Sequence, residues 1–488
     1  MPKDFFKVQH CKSLLELKPG AKIHVIGVAG VAMAQLAVAL SKKGFQVSGS
    51  DKDFWEPMGS LLRSSKVKLC TLYKREHVPL DADLVVIGNA ISYGNDEVAV
   101  VEENNLPYTC FPKALHETVI DGRHSIVVSG THGKTTTTAL TAFLLNQTKQ
   151  DPSYFIGGAT TDLPESLHAG KGHESVVEGD EYDSAFFAKV PKFSFYKPNT
   201  CIVNAIEFDH ADIYANVDVI KKEFDTLVRS MGAADVAICA TDFPHVAELA
   251  KIWREEAACR VISFGESEDA DVRMHVRTPK GMSQVADFSS KDFGNFTLEI
   301  PMPGAYNAKN AVAAYVAARL RGVSHQELAK ALTQFSRVKR RQEVRVDGPI
   351  TLVEDFAHHP TAVFETLSGI RESFPNRRIW AVFEPRSNTS RRKVFQKDYV
   401  RAFTLAQRAL LSHVEAKSID ADQQLLDVKQ LAADISAAGT PTVVPGLAPE
   451  IFALLKAEML PGDVVVVMSN GAFGGLIQLL ETHLREKQ

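Results

Sequence analysis

The chain has 488 residues, room for about three domains of ordinary size, with 45% hydrophobic and 23% charged residues. That balance belongs to a folded soluble protein and excludes a disordered or fibrous one. A net charge of −4, and basic clusters no longer than Lys339-Arg340-Arg341 and Arg391-Arg392-Lys393, argue against a nucleic-acid footprint.

Residues 1–9 contain no apolar signal core, and no run approaches the ~18 apolar residues of a membrane span. A cytoplasmic protein without membrane insertion is expected, as a monomer or weak homo-oligomer. Cys11, Cys70, Cys110, Cys201, Cys239 and Cys259 are scattered, with no CxxC pair, so reduced thiols are expected in place of disulfides or a zinc cluster.

Strand-like runs alternate with helical patterns from end to end, which predicts an α/β fold with mainly parallel sheets. Lys22–Ile26 reads as the first strand, Gly27-Val-Ala-Gly30 as its turn, and Val31 to Lys43 as a helix closed by Gly44. Asp51 ends the following strand. This is a dinucleotide-fold layout in which Ala29 and Ala32 replace two of the usual glycines. The turn suits a diphosphate on the helix N-terminus with Asp51 on a nucleoside, and equally suits small residues that let helix and strand pack. Asp83 to Gly88 is a further buried strand, and residues 107–123 read as a crossing to a second domain.

The stretch Ser125-Ile-Val-Val-Ser-Gly130-Thr131-His132-Gly133-Lys134-Thr135-Thr136 runs from a β-branched strand through a glycine turn into an alanine- and leucine-rich helix. Such a turn wraps backbone N–H groups around nucleotide phosphates, with Lys134 at the terminal phosphates and the Thr135 hydroxyl on Mg²⁺. A full P-loop has a glycine five residues before Gly133. That position is Val128, so the loop is a short variant.

Two acidic segments follow. Glu178-Gly-Asp180-Glu181-Tyr182-Asp183 suits a solvated loop, but its apolar flanks also allow carboxylates to turn inward as hard ligands for Mg²⁺. Asn204-Ala-Ile-Glu207-Phe-Asp209-His210-Ala-Asp212 follows the Thr200 strand. It lacks the cysteine or second spaced histidine that would complete a zinc site. His210 there is a candidate ligand for a second metal or an ordinary loop histidine. Residues 265–295 read as loops and short antiparallel strands, and helices are expected at about 307–321 and 324–335.

The second half carries Asn307 and Asn310 at a helix start, Arg340-Arg341 at a second crossing, and Glu354-Asp355-Phe-Ala-His358-His359-Pro360 after a strand. Adjacent histidines seldom present both rings to one ion, which argues against a metal shared by His358 and His359. Glu384-Pro-Arg386-Ser387-Asn388-Thr389 follows the Ile379–Phe383 strand.

Taken together, the short P-loop, EGDEYD, EFDHAD, GAYNAKN, the arginine pair and EDFAHHPTA resemble the ATP-dependent Mur ligases, from His24 to about Gly475. The resemblance implies three domains: a Rossmann-like N-terminal domain binding UDP-sugar (1–122), a P-loop ATPase-like central domain (123–343) and a Rossmann-like C-terminal domain taking nucleotide and incoming peptide (344–488). It places ATP phosphates on Gly130 to Thr136 and Arg341, one Mg²⁺ on Thr135 and Glu181, a second Mg²⁺ on His210, adenine near Asn307 and Asn310, and Asp355 on the nucleotide. Lys134, Glu181, His210 and Arg341 become the catalytic candidates. Gly27, Gly30 and Asp51 would hold the UDP portion, and Arg386, Ser387 and Asn388 the peptide.

The family chemistry implied is activation of the muramyl carboxylate of UDP-N-acetylmuramate as an acyl phosphate, then attack by an amine. The N-terminal turn and AHHP resemble the branch that adds L-alanine. The Glu384–Thr389 loop and Met468–Gly475 resemble the branch that rejoins the recycled murein tripeptide L-alanyl-γ-D-glutamyl-meso-diaminopimelate, which is the expected activity. A nicotinamide-dependent dehydrogenase on the first domain is a remote alternative. Three departures stand out: Tyr306 where the family usually has histidine, Asp225 where some relatives carry a carbamylated lysine, and a thinner N-terminal glycine loop.

Overall fold

The computed structural model describes residues 5–414 and 424–486, which form three open sheets and a small hairpin. In the first sheet all strands are parallel, in the order Lys68–Thr71, Gln46–Asp51, Lys22–Ile26, Leu84–Ile87, Tyr108–Cys110. Leu84–Ile87 is buried at every position, as expected of a parallel strand covered on both faces. The strand order reverses between Lys22–Ile26 and Leu84–Ile87, and Gly27 and Gly88 lie just past their carboxyl ends. That is where open α/β sheets leave a crevice.

The central sheet has ten strands. His124–Ser129 sits between Thr200–Val203 and Glu174–Gly179, all parallel, so the P-loop leaves the middle of the sheet. Two helices pack together there, Lys134–Gln147 and Ala305–Leu320. The second is alanine-rich and buried over most of its length, and small side chains permit that close approach. Its start at Ala305 and the Ser324-capped helix His325–Leu332 agree with expectation within two or three residues.

Residues 265–295 differ from the sequence reading. The antiparallel strands are present but longer than expected, Val272–Lys280 and Ser283–Ser290, paired with one register shift between Met274 and Val276, and with Gly294–Ile300 they make a meander at the sheet edge. The inward residues Met274, Ala286, Phe288, Phe296 and Leu298 are spaced for one face, and this pattern outweighs the polar residues between them.

The third sheet has the order Glu343–Val346, Thr351–Asp355, Val464–Met468, Ile379–Phe383, Arg408–Ser412, Thr442–Gly446, parallel except for its first edge strand. Val464–Met468 is buried throughout, and each such valine contributes about 1.5–2 kcal/mol on removal from water. Trp380 is fully buried beside it and donates its indole N–H to Asp463 Oδ2 at 2.9 Å. The carboxyl ends of Thr351–Asp355, Ile379–Phe383 and Val464–Met468 therefore lie side by side.

Aromatic contacts join the first unit to the turn of the hairpin Asp183–Ala185/Ala188–Pro191: Phe186 packs on Phe6 with centroids 5.2 Å apart, and Phe187 on Tyr108 at 5.2 Å. Among the described residues no helix is long and apolar enough to cross a membrane, and all six cysteines are free.

Candidate active site

The P-loop turn is shaped by two glycines. Gly130 (φ 126°) passes so close to the next strand that a Cβ there would lie 2.8 Å from Ala205 N. Gly133 (φ 79°) precedes the helix, and a Cβ on it would meet Asn310 Oδ1 at 2.6 Å and Asn204 Nδ2 at 2.9 Å. Both need the left-handed region and the absence of a side chain. The amides that follow open into a cleft of about 250 Å³ lined by Thr131 to Thr136, Tyr306, Asn310, Arg341, Asp355 and His358. Concavity, a helix N-terminus and a glycine cradle suit a nucleotide phosphate chain.

Lys134 Nζ donates to Gly130 O at 2.7 Å and to both Glu181 oxygens, at 2.8 and 3.1 Å. Burial pulls the ammonium down, but Glu181, Asp180 and Glu178 outweigh it and hold Lys134 above its ordinary range. Glu181 is fully buried, and Lys134 and His210 overcome its desolvation to keep it ionised below the usual range. His210 Nε2 lies 3.0 Å from Glu181 Oε1. Burial acts against its charge, yet Asp209 and Glu181 raise it to about 9.

His210 sits at φ 52°, and its N–H meets Asp209 Oδ1 at 2.7 Å and Thr389 Oγ1 at 3.1 Å, the latter from the third sheet unit. Ligand atoms of Asp180, Glu181 and His210 converge within 4.8 Å, an oxygen-rich set that fits Mg²⁺. The Thr135 hydroxyl, expected beside Glu181, instead donates to Glu178 Oε1 at 3.0 Å. Glu178 also accepts from Gly157 N–H at 2.8 Å, and burial raises its pKa. Glu178 entered the sequence analysis only as part of the acidic segment whose carboxylates could turn inward. Its only signal was the acidic run itself.

Asn204 Nδ2 donates to Thr137 Oγ1 at 2.9 Å, and Thr137 donates to Asn310 Oδ1 at 3.1 Å. Asn310 thus braces the P-loop and lines the cleft. Asn307 is committed within the protein, its amide nitrogen donating to Pro303 O at 2.8 Å and Gln342 Oε1 at 3.2 Å. Of the two asparagines only Asn310 lines the cleft, together with Tyr306.

The third unit closes the cleft. Arg341 Nη2 reaches Thr135 Oγ1 at 3.5 Å, and its guanidinium lies over Phe356, 4.6 Å from the ring centre. Asp355 accepts from the N–H groups of Gln342 at 2.7 Å and Ala357 at 2.6 Å, so its carboxylate shapes the loop as well as lining the cleft. Burial pushes its pKa up.

A second depression adjoins His210 and is lined by Tyr182, Asp212, Phe356, His358, Arg386, Ser387, Asn388, Thr389 and Asn470. Asn388 Nδ2 donates to Asp212 Oδ2 at 2.9 Å, and the Tyr182 hydroxyl donates to the same oxygen. Arg386 packs across Gly471, where any side chain would overlap its guanidinium.

In the first unit Gly27 (φ 85°) makes the turn, and Asp51 Oδ2 accepts from Ala29 N–H at 2.9 Å. Asp51 Oδ1 accepts from the Tyr73 hydroxyl at 2.9 Å. Gly30 has no such constraint, since a Cβ there would lie 3.6 Å from its nearest neighbour. Asp225 is turned from the cleft, bonded to Arg229 at 2.8 Å and to Trp253 Nε1 at 2.9 Å.

Three family models match in succession: "Mur ligase family, catalytic domain" over residues 22–122, "Mur ligase middle domain" over 128–318 and "Mur ligase, glutamate ligase domain" over 336–471. The UDP-N-acetylmuramate–L-alanyl-γ-D-glutamyl-meso-2,6-diaminoheptandioate ligase of Escherichia coli K12 is 33% identical over 478 residues, covering 96% of this chain and 99% of that protein. The UDP-N-acetylmuramate–L-alanine ligase of Aromatoleum aromaticum is 30% identical, with 93% and 96% covered. Among solved structures, a murein peptide ligase from Psychrobacter arcticus superposes with a TM-score of 0.70 at 31% identity, over 95% of this chain and 99% of that one. The chain therefore belongs to the Mur ligase family of ATP-dependent acid–amino-acid ligases.

Proposed function

We propose that this enzyme joins the tripeptide L-alanyl-γ-D-glutamyl-meso-diaminopimelate to the lactyl carboxylate of UDP-N-acetylmuramate, returning recovered peptide to cell-wall precursor. The observation that carries this reading is the depression beside His210. It places a guanidinium, a hydroxyl and an amide from Arg386, Ser387 and Asn388 next to the metal-binding candidates. A tripeptide ending in several carboxylates calls for such groups, whereas L-alanine brings a single one.

A carboxylate is a poor electrophile, so the reaction runs through an acyl phosphate, which the peptide amine attacks with loss of phosphate. The protein's work is alignment and charge neutralisation. Lys134, released from Glu181, turns to the terminal phosphates, where Arg341 adds a second cation. Gly130 to Thr136 offer backbone N–H groups. Asp180, Glu181 and His210 would hold Mg²⁺, which would supply electrostatic stabilisation of the transferring phosphoryl group, and Glu178 orients the Thr135 hydroxyl. Gly27 and Asp51 mark the UDP-sugar end, and the parts meet only when the three units close on one another.

The second reading is addition of L-alanine, favoured by the 30% identity to a ligase of that name over 93% of the chain. Incubation with UDP-N-acetylmuramate, Mg-ATP and either L-alanine or the tripeptide, followed by ADP release and product mass, separates the two. Faster turnover with L-alanine sinks the tripeptide assignment.

A further inference from the structure

A second group of potential metal ligands lies across the cleft, sharing no residue with the Asp180, Glu181 and His210 set. His132 comes from the P-loop turn, Glu207 from the segment after Thr200–Val203, and His359 from the third unit, where it precedes the helix Pro360–Ser373. The sequence segment around Glu207 has no second histidine at zinc spacing, but the fold brings two from distant positions.

The geometry suits a cation that takes the place of the His132 Nε2 proton. His132 Nε2 is 2.7 Å from Glu207 Oε2, and His359 Nδ1 is 3.9 Å from the same oxygen. The two imidazole rings are 4.7 Å apart. A tetrahedral zinc site, with bonds near 2.0–2.1 Å, needs ligand atoms about 3.3 Å from one another, between the two separations observed. His359 Nε2 lies 3.2 Å from Phe208 O, a bond only an N–H can make, so Nδ1 is the unprotonated nitrogen. The Nδ1 contact it would surrender is a long one, 3.3 Å from Thr361 N–H.

We propose that His132, Glu207 and His359 form a distinct site for a borderline divalent transition ion such as Zn²⁺ or Co²⁺. Two imidazoles and one carboxylate select against Mg²⁺, which prefers oxygen donors. Because the ligands come from both sides of the cleft, the ion forms its full set only with the units apposed. It therefore pins the third unit to the P-loop and restrains opening.

The test uses the full chain, stripped with chelator and saturated with Mg²⁺, titrated with Co²⁺ and read by its visible absorption. One equivalent giving a tetrahedral spectrum is expected. The signal should survive Glu181→Gln combined with His210→Asn, and weaken about 100-fold or more in apparent affinity in Glu207→Gln and in His359→Asn, which retains a helix-capping side chain. No tetrahedral signal, or loss of it in the Glu181/His210 variant alone, overturns the proposal. X-ray absorption of the Zn²⁺-loaded unmodified chain is independent of variant folding. Two imidazole nitrogens are expected, and one or none overturns the site.

Discussion

Glu181 holds Lys134 and His210 on one carboxylate, with Lys134 Nζ 2.8 Å from Oε2 and His210 Nε2 3.0 Å from Oε1. A fully buried anion between two cations is a preorganised charge set. In the proposed reaction, nucleotide phosphates and Mg²⁺ entering this site would exchange partners with groups already in place, leaving little reorganisation for the chemical step.

Replacing Lys134 separates its two duties. Lys134→Met leaves the buried Glu181 with His210 as its remaining cation, and stability should fall by on the order of 2 kcal/mol, less than for an isolated broken pair. Ligation should fall by about 10²–10³-fold or more, because Arg341 alone does not replace the ammonium that rises from the P-loop itself. Urea unfolding and single-turnover ADP formation measure the two effects. Wild-type turnover would remove Lys134 from the phosphoryl-transfer site.

The glycines divide into required and permissive positions. Gly133→Ala combines a left-handed φ with overlap onto Asn310 and Asn204, and should cost about 2–4 kcal/mol. Gly30→Ala, in ordinary backbone where a Cβ meets nothing closer than 3.6 Å, should stay within about 0.5 kcal/mol of the parent. Thermal melts of the two variants check the contrast, and equal destabilisation would contradict the turn geometry.

His124 opens the P-loop strand, and its Nε2 lies 2.9 Å from Thr200 Oγ1. Burial first, then the nearby Arg321 charge, lowers it to about 4 from an ordinary 6.5. The unfolded chain therefore takes up a proton that the folded chain refuses. Its contribution is whole above pH 6.5 and is lost as pH falls from 6.5 toward 4, by about 1–2 kcal/mol once solvent screening of this partly exposed ring is allowed for. Urea midpoints at pH 7.5 and 5 should differ less in His124→Gln than in the parent. An unchanged difference would show that the histidine titrates normally.

The three-sheet plan was legible because buried parallel strands are short apolar runs, as in Leu84–Ile87 and Val464–Met468, closed by glycine or polar turns. The P-loop was legible because a glycine pair with Lys134 and Thr135 has a local reason to exist. Other relationships depend on tertiary geometry that local spacing does not encode. Asn307 reads like Asn310 in sequence, yet one faces the cleft and the other is tied to Gln342, thirty-five residues on. Glu207 meets His132 and His359 from distant positions, and Glu178 takes the Thr135 hydroxyl from a separate strand. The antiparallel strands after Gly265 were expected to be shorter than they are, because polar residues on the outer face masked the inward alternation.

Arg386 offers the sharpest test of substrate choice. Its guanidinium lies over Gly471 at the mouth of the depression that also holds Tyr182, Asp212 and Asn388. If it binds a peptide carboxylate, Arg386→Ala should raise the KM for tripeptide about 10- to 100-fold, the worth of one charge-assisted hydrogen bond, with the KM for ATP unchanged. Arg386→Lys should recover only part of that loss, because an ammonium cannot present the bidentate fork. L-alanine, tested at high concentration as a poor alternative amine, should be much less affected, since it lacks the distal carboxylates. Equal loss for both amines would place Arg386 at the reaction centre or in the fold, and an unchanged tripeptide KM would remove it from the peptide site.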